Sequence, residues 1–527
     1  MALPNLLPPD TKSARTEGVT LAVYAPFGTD EVLSTFPDGQ STELAQHPLF
    51  KSLLKVAEAG VHVAALIDLV EDDTYLVEIP AGQPADVRVS SRWKEQMDSP
   101  HTLAGFLRTA HSAHPESALV LALEGHGAGF LPDIDRRKLT AAALTQNNVS
   151  WHVTPEGTSP TLPTGGPLLP TGGPLLPTGG PLLPANHMPL STYGLGAALK
   201  SALDSGVPKL AAIHFNNCFN MSVEVLHTVA PYAEYATGYL NYNFFTSGAS
   251  YPAVFQKLAQ AGSASAEQLA KWFADENHAA LAAKGNHPTA GGVVQLTRMQ
   301  EIAERIDDLA DALLSALRTA TGTARPAVVS KIRHAILKAQ QFDTEATMEL
   351  EAPDELTDIL SFATALLAFD FGPHKVHSAA LALQQALKGI KRYGDNDAPW
   401  PAPTERWDFS SPALAMNIFL PDPTLSGLWD WRSPYYLEVN PDPTLPRVQP
   451  NIIEFLKVTD WVDFIIEYHK EAKFIGLLPA MIPEFPVFNA KYEPPRKGDT
   501  PRGDDGCNGS TPNDPPYKGG PVPRASR

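Results

Sequence analysis

Cysteine is almost missing from this chain: there are two in 527 residues, Cys218 and Cys507. Two cysteines cannot build a disulfide framework, so an apolar core must hold the fold. Cys218 follows an apolar run, whereas Cys507 lies in a polar, Gly- and Pro-rich tail, and no bridge between them is expected. Basic charge is also scarce. Forty Lys and Arg stand against 58 Asp and Glu, for a net charge of −18, which argues against nucleic acid as a partner. The strongest basic patch, Arg136-Arg137-Lys138, is short and reads as a solvated surface turn. No run of about 18 apolar residues occurs, so no membrane span is expected. The first ten residues have neither a basic start nor an adequate apolar core, which predicts no signal peptide. Together these absences point to a cytoplasmic chain.

What is present is an alternation of strand and helix patterns. Apolar residues make up 43% of the chain and charged residues 19%, enough for one large core or two moderate ones. Strands are predicted at 19–25, 62–69, 74–79, 118–123, 210–215, 235–239 and 292–296, with 88–90 as a hairpin partner. Helices are predicted at 42–59, 100–113, 191–203, 222–229, 264–283 and 299–317. Such an order indicates an α/β fold with a mostly parallel sheet flanked by helices. The expected organisation is an N-terminal extension at 1–17, an α/β domain at 18–324, a largely helical C-terminal part with a further strand at 325–490, and a disordered tail at 491–527. Within the C-terminal part, helical segments are read at 327–341 and 355–391, a strand at 413–420 and a helix within 452–474.

Residues 154–189 interrupt the alternation. Three copies of Thr-Gly-Gly-Pro-Leu-Leu-Pro run from 164 to 184. Their Gly and Pro content excludes a regular helix or a central strand. The segment reads as a low-complexity surface loop, with a lid or processing segment as the functional alternative. A mobile 161–184 that restricts access to the cleft is the expectation.

Two motifs carry the chemistry. The run Ala118–Leu123 leads into Glu124-Gly125-His126-Gly127, and the run Leu210–Phe215 leads into Asn216-Asn217-Cys218. Open α/β sheets place active sites at the carboxyl ends of their strands. If these two strands are neighbours, a histidine and a cysteine meet in one crevice, as a thiol nucleophile and its proton-transfer partner. Gly127 removes bulk beside the histidine, so its N–H and that of Cys218 are candidates for an oxyanion hole. A helix starting just after Cys218 favours its thiolate. His111, His114, His214 and His227 form no zinc spacing, and no twelve-residue calcium loop appears. Glu224 is read as buried support rather than as a helix-surface residue.

At these residues the chain resembles the clostripain-like cysteine peptidases, within the caspase–legumain–gingipain group of folds. Gly125-His126-Gly127 and the later Asn216-Asn217-Cys218-Phe219-Asn220-Met221-Ser222-Val223-Glu224-Val225 carry the likeness. Weaker echoes lie in 19–24, 100–106, 293–296 and 413–421. The resemblance implies a caspase-like sandwich, a His126–Cys218 dyad, a protein or peptide substrate, and calcium only by family analogy; no other cofactor is expected. Members that cleave after Arg or Lys carry an Asp two residues before the cysteine, where this chain has Asn216. As a substrate-binding residue, a neutral amide cannot make the charged bidentate pairing that favours Arg. The P1 residue, on the amino side of the scissile bond, is therefore expected to be neutral or apolar. The aromatic residues Tyr239, Tyr242, Phe244 and Phe245 are candidates to line its pocket. Self-cleavage after a basic residue is not available between 139 and 199, which hold no Lys or Arg. A second reading is the same fold used for binding or assembly with little turnover. It is motivated by Asn216 and by an aromatic cluster at Trp429, Trp431, Tyr435 and Tyr436.

Overall fold

A computed structural model describes residues 18–29, 43–69, 74–93, 97–133, 153–154, 183–184, 190–241, 243, 246–282, 290–342, 355–392, 414–423, 436–437 and 451–474. The elements follow in chain order as β1 (Val19–Pro26), α1 (Pro48–Glu58), β2 (His62–Asp68), β3 (Thr74–Ile79), β4 (Arg88–Trp93), α2 (Pro100–Ala113) and β5 (Ala118–Glu124). Next come α3 (Thr192–Asp204), β6 (Leu210–Asn216), α4 (Val223–Val229), β7 (Ala233–Tyr239), α5 (Tyr251–Ala261), α6 (Ala266–Ala282), β8 (Gly291–Gln295) and α7 (Met299–Thr319). The C-terminal part adds α8 (Ala324–Lys338), β9 (Leu356–Asp358), α9 (Ile359–Leu366), α10 (Val376–Leu387), β10 (Lys391–Arg392), β11 (Asn417–Phe419), α11 (Glu454–Val458) and α12 (Trp461–Phe474).

Nine strands form one sheet in the order β10-β8-β7-β6-β5-β1-β2-β3-β4. The five central strands, β7 to β2 in that order, are parallel. The edges are antiparallel, as β8 and β10 on one side and β3 and β4 on the other. The innermost sequences explain this. Val19–Ala25, Ala118–Leu123 and Leu210–Phe215 are nearly all apolar and buried, as strands covered on both faces must be. Helices α1, α5 and α6 pack together on one side, and α2, α3, α4 and α7 make a second set. Ser191 caps α3 by accepting the Gly194 N–H at 2.9 Å, and Ser222 caps α4 by accepting the Val225 N–H at 3.2 Å.

The C-terminal part departs most from expectation. The segment read as one helix at 355–391 divides into β9, α9 and α10. Asp358 explains the break: its carboxylate caps α9 through the Ser361 N–H at 2.7 Å and also accepts the Ala415 N–H at 2.8 Å. The further strand is narrower than 413–420 and pairs with β9 in a two-stranded sheet of its own. Residues on both sides of 324 share one apolar core cluster, which runs from β1 through Trp461 and Tyr468. A buried ion pair, Arg333 to Asp422 at 2.7 Å, sits inside the C-terminal part and is joined by the Tyr468 hydroxyl. Helix α5 was not anticipated.

Residues 1–17, 491–527 and, within the repeat insertion, 155–182 and 185–189 lie outside the described residues. Within the insertion, Val153–Thr154 pairs with Leu183–Pro184. Its two flanks are tied together. Thr192 N–H donates to Leu131 O at 2.9 Å, Leu131 N–H donates to Thr192 Oγ at 2.9 Å, and Ser191 donates to Asp133 at 3.1 Å.

Candidate active site

Strands β5 and β6 are parallel neighbours, and Glu124 pairs with Asn216 at their carboxyl ends. The register offset is the 92-residue separation of the two motifs, so His126 and Cys218 each lie two residues beyond level strand ends. Gly125 turns the chain at φ 94°, a value glycine adopts without strain. The two loops then meet. An ideal Cβ on Gly127 would lie 2.2 Å from the Cys218 carbonyl oxygen and 2.9 Å from its nitrogen. Only glycine fits there, and the backbone N–H groups of residues 127 and 218 share one small region. His126 lines a small cleft, partly open to solvent, whose walls include Tyr24, Leu123, Leu131, Leu195 and Asn217.

Cys218 begins a tightly constrained turn. Phe219, the next residue, has φ 60°, a left-handed conformation that costs a bulky residue about 1–3 kcal/mol. Its neighbours hold it there. Phe219 N–H donates to Asn241 O at 2.9 Å, and Met221 N–H donates to Tyr239 O at 2.9 Å. The side chain of Asn417 donates to Phe219 O at 2.9 Å and to Leu240 O at 2.7 Å, while its main-chain N–H reaches Met221 O at 3.0 Å. A strand from the C-terminal part thus clamps the turn that follows Cys218, and sequence reading had no signal for it.

Glu224 acts as the buried support expected of it. One carboxyl oxygen accepts the Phe419 N–H and the Tyr436 hydroxyl, each at 2.9 Å; the other accepts Ser222 at 3.0 Å. Burial pushes its pKa up, against the lowering effect of these hydrogen bonds. Tyr436 is fully buried, stacked on Phe419 and edge-on to Phe130 of the histidine loop. It is a packing residue and not part of a recognition surface. Trp429, Trp431 and Tyr435 lie outside the described residues.

Asn216 is 1% exposed and saturated with protein partners. Its amide donates to both Glu124 carboxyl oxygens at 3.0 Å and to Thr246 Oγ at 3.1 Å. Its carbonyl oxygen accepts from the Asn243 amide at 2.8 Å. Tyr251, on the unanticipated α5, donates to Glu124. Burial pushes the Glu124 pKa up to about 7, although its bonds to Tyr251 and Asn216 oppose the shift. Of the aromatics expected to line a pocket, Tyr239 is buried and bonded to Asn277; Tyr242, Phe244 and Phe245 lie outside the described residues. His214 is fully buried and stacked on Phe273, and desolvation lowers its pKa to about 3. It is a neutral core histidine.

Cys218 is buried; Cys507, the other cysteine of the sequence, lies outside the described residues. Among the described residues, no group of three His, Cys, Asp or Glu side chains is placed to hold a metal ion. No described helix is long and apolar enough to cross a membrane.

Fold and site together define a cysteine peptidase built on a mostly parallel sheet. The clostripain-family profile matches residues 195–467, just over half of the chain, and the chain belongs to that family. Among solved structures it is similar to a secreted C11 cysteine protease from Bacteroides thetaiotaomicron in complex with an irreversible peptide inhibitor. Identity is 14%, coverage is 85% of this chain and 99% of that one, and the TM-score is 0.50. An inactive zymogen C11 protease from Parabacteroides distasonis is 12% identical, with coverage of 86% and 99% and a TM-score of 0.45. A search of curated proteins finds no match.

Proposed function

We propose that this chain is a cysteine endopeptidase working through a Cys218–His126 dyad, with a P1 side chain other than Arg or Lys. The observation that carries the dyad is the contact of the Gly127 and Cys218 backbones at one sheet edge. The Cys218 thiol passes its proton to His126 and the sulfur attacks the scissile carbonyl carbon. The oxyanion gathers the Gly127 and Cys218 N–H groups. His126 returns the proton to the leaving amine, and water then hydrolyses the thioester with His126 as base. The P1 assignment is supported by saturation. Asn216 has no spare polar atom, and the Glu124 carboxyl behind it is taken up by Asn216 and Tyr251. A P1 cation therefore meets no available carboxylate among these residues.

The test is hydrolysis of peptides varied at P1, under a thiol reductant, by wild type and Cys218→Ala. Turnover confined to the wild type and highest for neutral P1 is expected. Equal cleavage by both proteins sinks the peptidase reading, and a dominant preference for Arg sinks the pocket reading. The full burial of Cys218 favours a second reading, in which the fold serves binding or assembly. Turnover that requires Cys218 rejects it.

A further inference from the structure

The register that levels His126 with Cys218 also buries a relay of polar side chains under the nucleophile. Glu124 starts it. Its two oxygens both face the Asn216 amide nitrogen, and Tyr251 donates to one of them. The orientation of Asn216 is thereby fixed, because a flipped amide would set oxygen against oxygen. Its carbonyl must then point away from Glu124, where it accepts the Asn243 side-chain amide at 2.8 Å. That bond fixes Asn243 in turn. Its own side-chain oxygen is left buried without a hydrogen-bond partner, so a single contact holds the side chain. The main chain of the same residue touches the reacting atom: Asn243 N–H lies 3.3 Å from Cys218 Sγ and points its proton at it.

We propose that Asn243 is a positioning residue for the nucleophile: the relay Glu124–Asn216–Asn243 holds the 243 main chain so that its N–H donates to the Cys218 sulfur and stabilises the thiolate. This rests on the dyad reading above and adds a third contact to it. When the thiol gives its proton to His126, the negative sulfur keeps a donor that the dyad does not supply. A donor to the charged form favours ionisation. Thr246 braces the relay by bonding Asn216 and Asn277 together. The titratable groups around it are Glu124 on β5, His126 beyond it, Tyr251 on α5, Tyr239 on β7 and His214 on β6, the last held neutral by burial.

The experiment uses the full chain with Cys507→Ser, which leaves Cys218 as its single thiol. Its rate of alkylation by iodoacetamide is measured against pH in the reduced protein. Asn243→Ala should raise the midpoint by about one pH unit, the size expected for losing one hydrogen bond to a charged group. Asn216→Leu should shift it in the same direction. Asn243→Ser, which restores a short donor toward Asn216, should recover part of the shift; a merely structural loss would not be recovered this way. Coincident midpoints in wild type and folded Asn243→Ala or Asn216→Leu overturn the proposal. If one of these variants fails to fold by melting, the other decides. Alkylation reports the sulfur whether or not peptides are cut, so failure of the peptidase reading, seen as turnover independent of Cys218, is told apart from failure of the relay.

Discussion

Replacing Gly127 by Ala tests the site at its tightest point. The added Cβ would lie 2.2 Å from Cys218 O, 2.9 Å from Cys218 N and 3.0 Å from Asn217 Cγ. The first two are backbone atoms and cannot rotate away. To reach ordinary van der Waals contact the loops must part by about 1 Å, and a misplacement of that size costs roughly 10²-fold in rate. Oxyanion donors work at about 2.7–3.1 Å, and losing one costs roughly 10²–10³-fold in kcat, or about 2.7–4 kcal/mol. A fall in kcat/KM within that range is expected, measured on the reduced protein with a neutral-P1 peptide. Gly127 does not occupy the left-handed region, so backbone strain contributes nothing. Gly125→Ala is the control. Its Cβ finds Pro26 at a comfortable 3.6 Å but its φ of +94° is strained for alanine, so stability should drop by about 1–2 kcal/mol through backbone strain rather than a clash with Cys218. Wild-type kcat/KM in Gly127→Ala would show that the 127 and 218 loops are not held together during catalysis.

Glu124 should make stability fall with rising pH. Its carboxyl ionises near the ordinary 4.5 when unfolded but at about 7 when folded. Between those values the native state binds more protons, so stability is lost as pH climbs through the window, by about 3 kcal/mol in all. Asp358, also pushed up to about 7 by burial, acts in the same direction. Glu124→Gln should therefore give a shallower slope of unfolding free energy against pH from 4.5 to 7, read by denaturant titration; an unchanged slope refutes the assignment. Asn417→Ala removes the donors to Phe219 O and Leu240 O and leaves two buried carbonyls short of a partner. It should cost about 2–4 kcal/mol and lower kcat, because Phe219 loses the clamp on its left-handed conformation. A variant that melts and turns over like wild type would disprove the clamp.

Much of the sheet was legible because its signals are local. An apolar run of six or seven residues ended by Gly, Asn or Pro reads as a buried strand, and Ala118–Glu124 and Leu210–Asn216 fell where that pattern lies. His126 and Cys218 stand out in the sequence for the same reason, since each sits two residues beyond such a run. The segment at 355–391 misled because its apolar residues suit a helix throughout, while the strand at Leu356–Asp358 exists only through its pairing with Asn417–Phe419. Helix α5, Tyr251–Ala261, followed a Gly- and Ser-containing stretch and gave no clear start.

What the sequence alone determined about this protein is the central strands of the main sheet and the 92-residue spacing of the two motifs that end them. What only the tertiary structure decided is how polar groups far apart in the chain are paired: Glu124 with Asn216, Asn243 with the Cys218 sulfur, Asn417 with the nucleophile turn, Glu224 with Tyr436. The physical reason is that apolar burial follows a periodicity written into neighbouring residues, whereas a buried polar group must find a specific partner of opposite role. The partner is set by sheet register and by chain crossovers that no local pattern encodes.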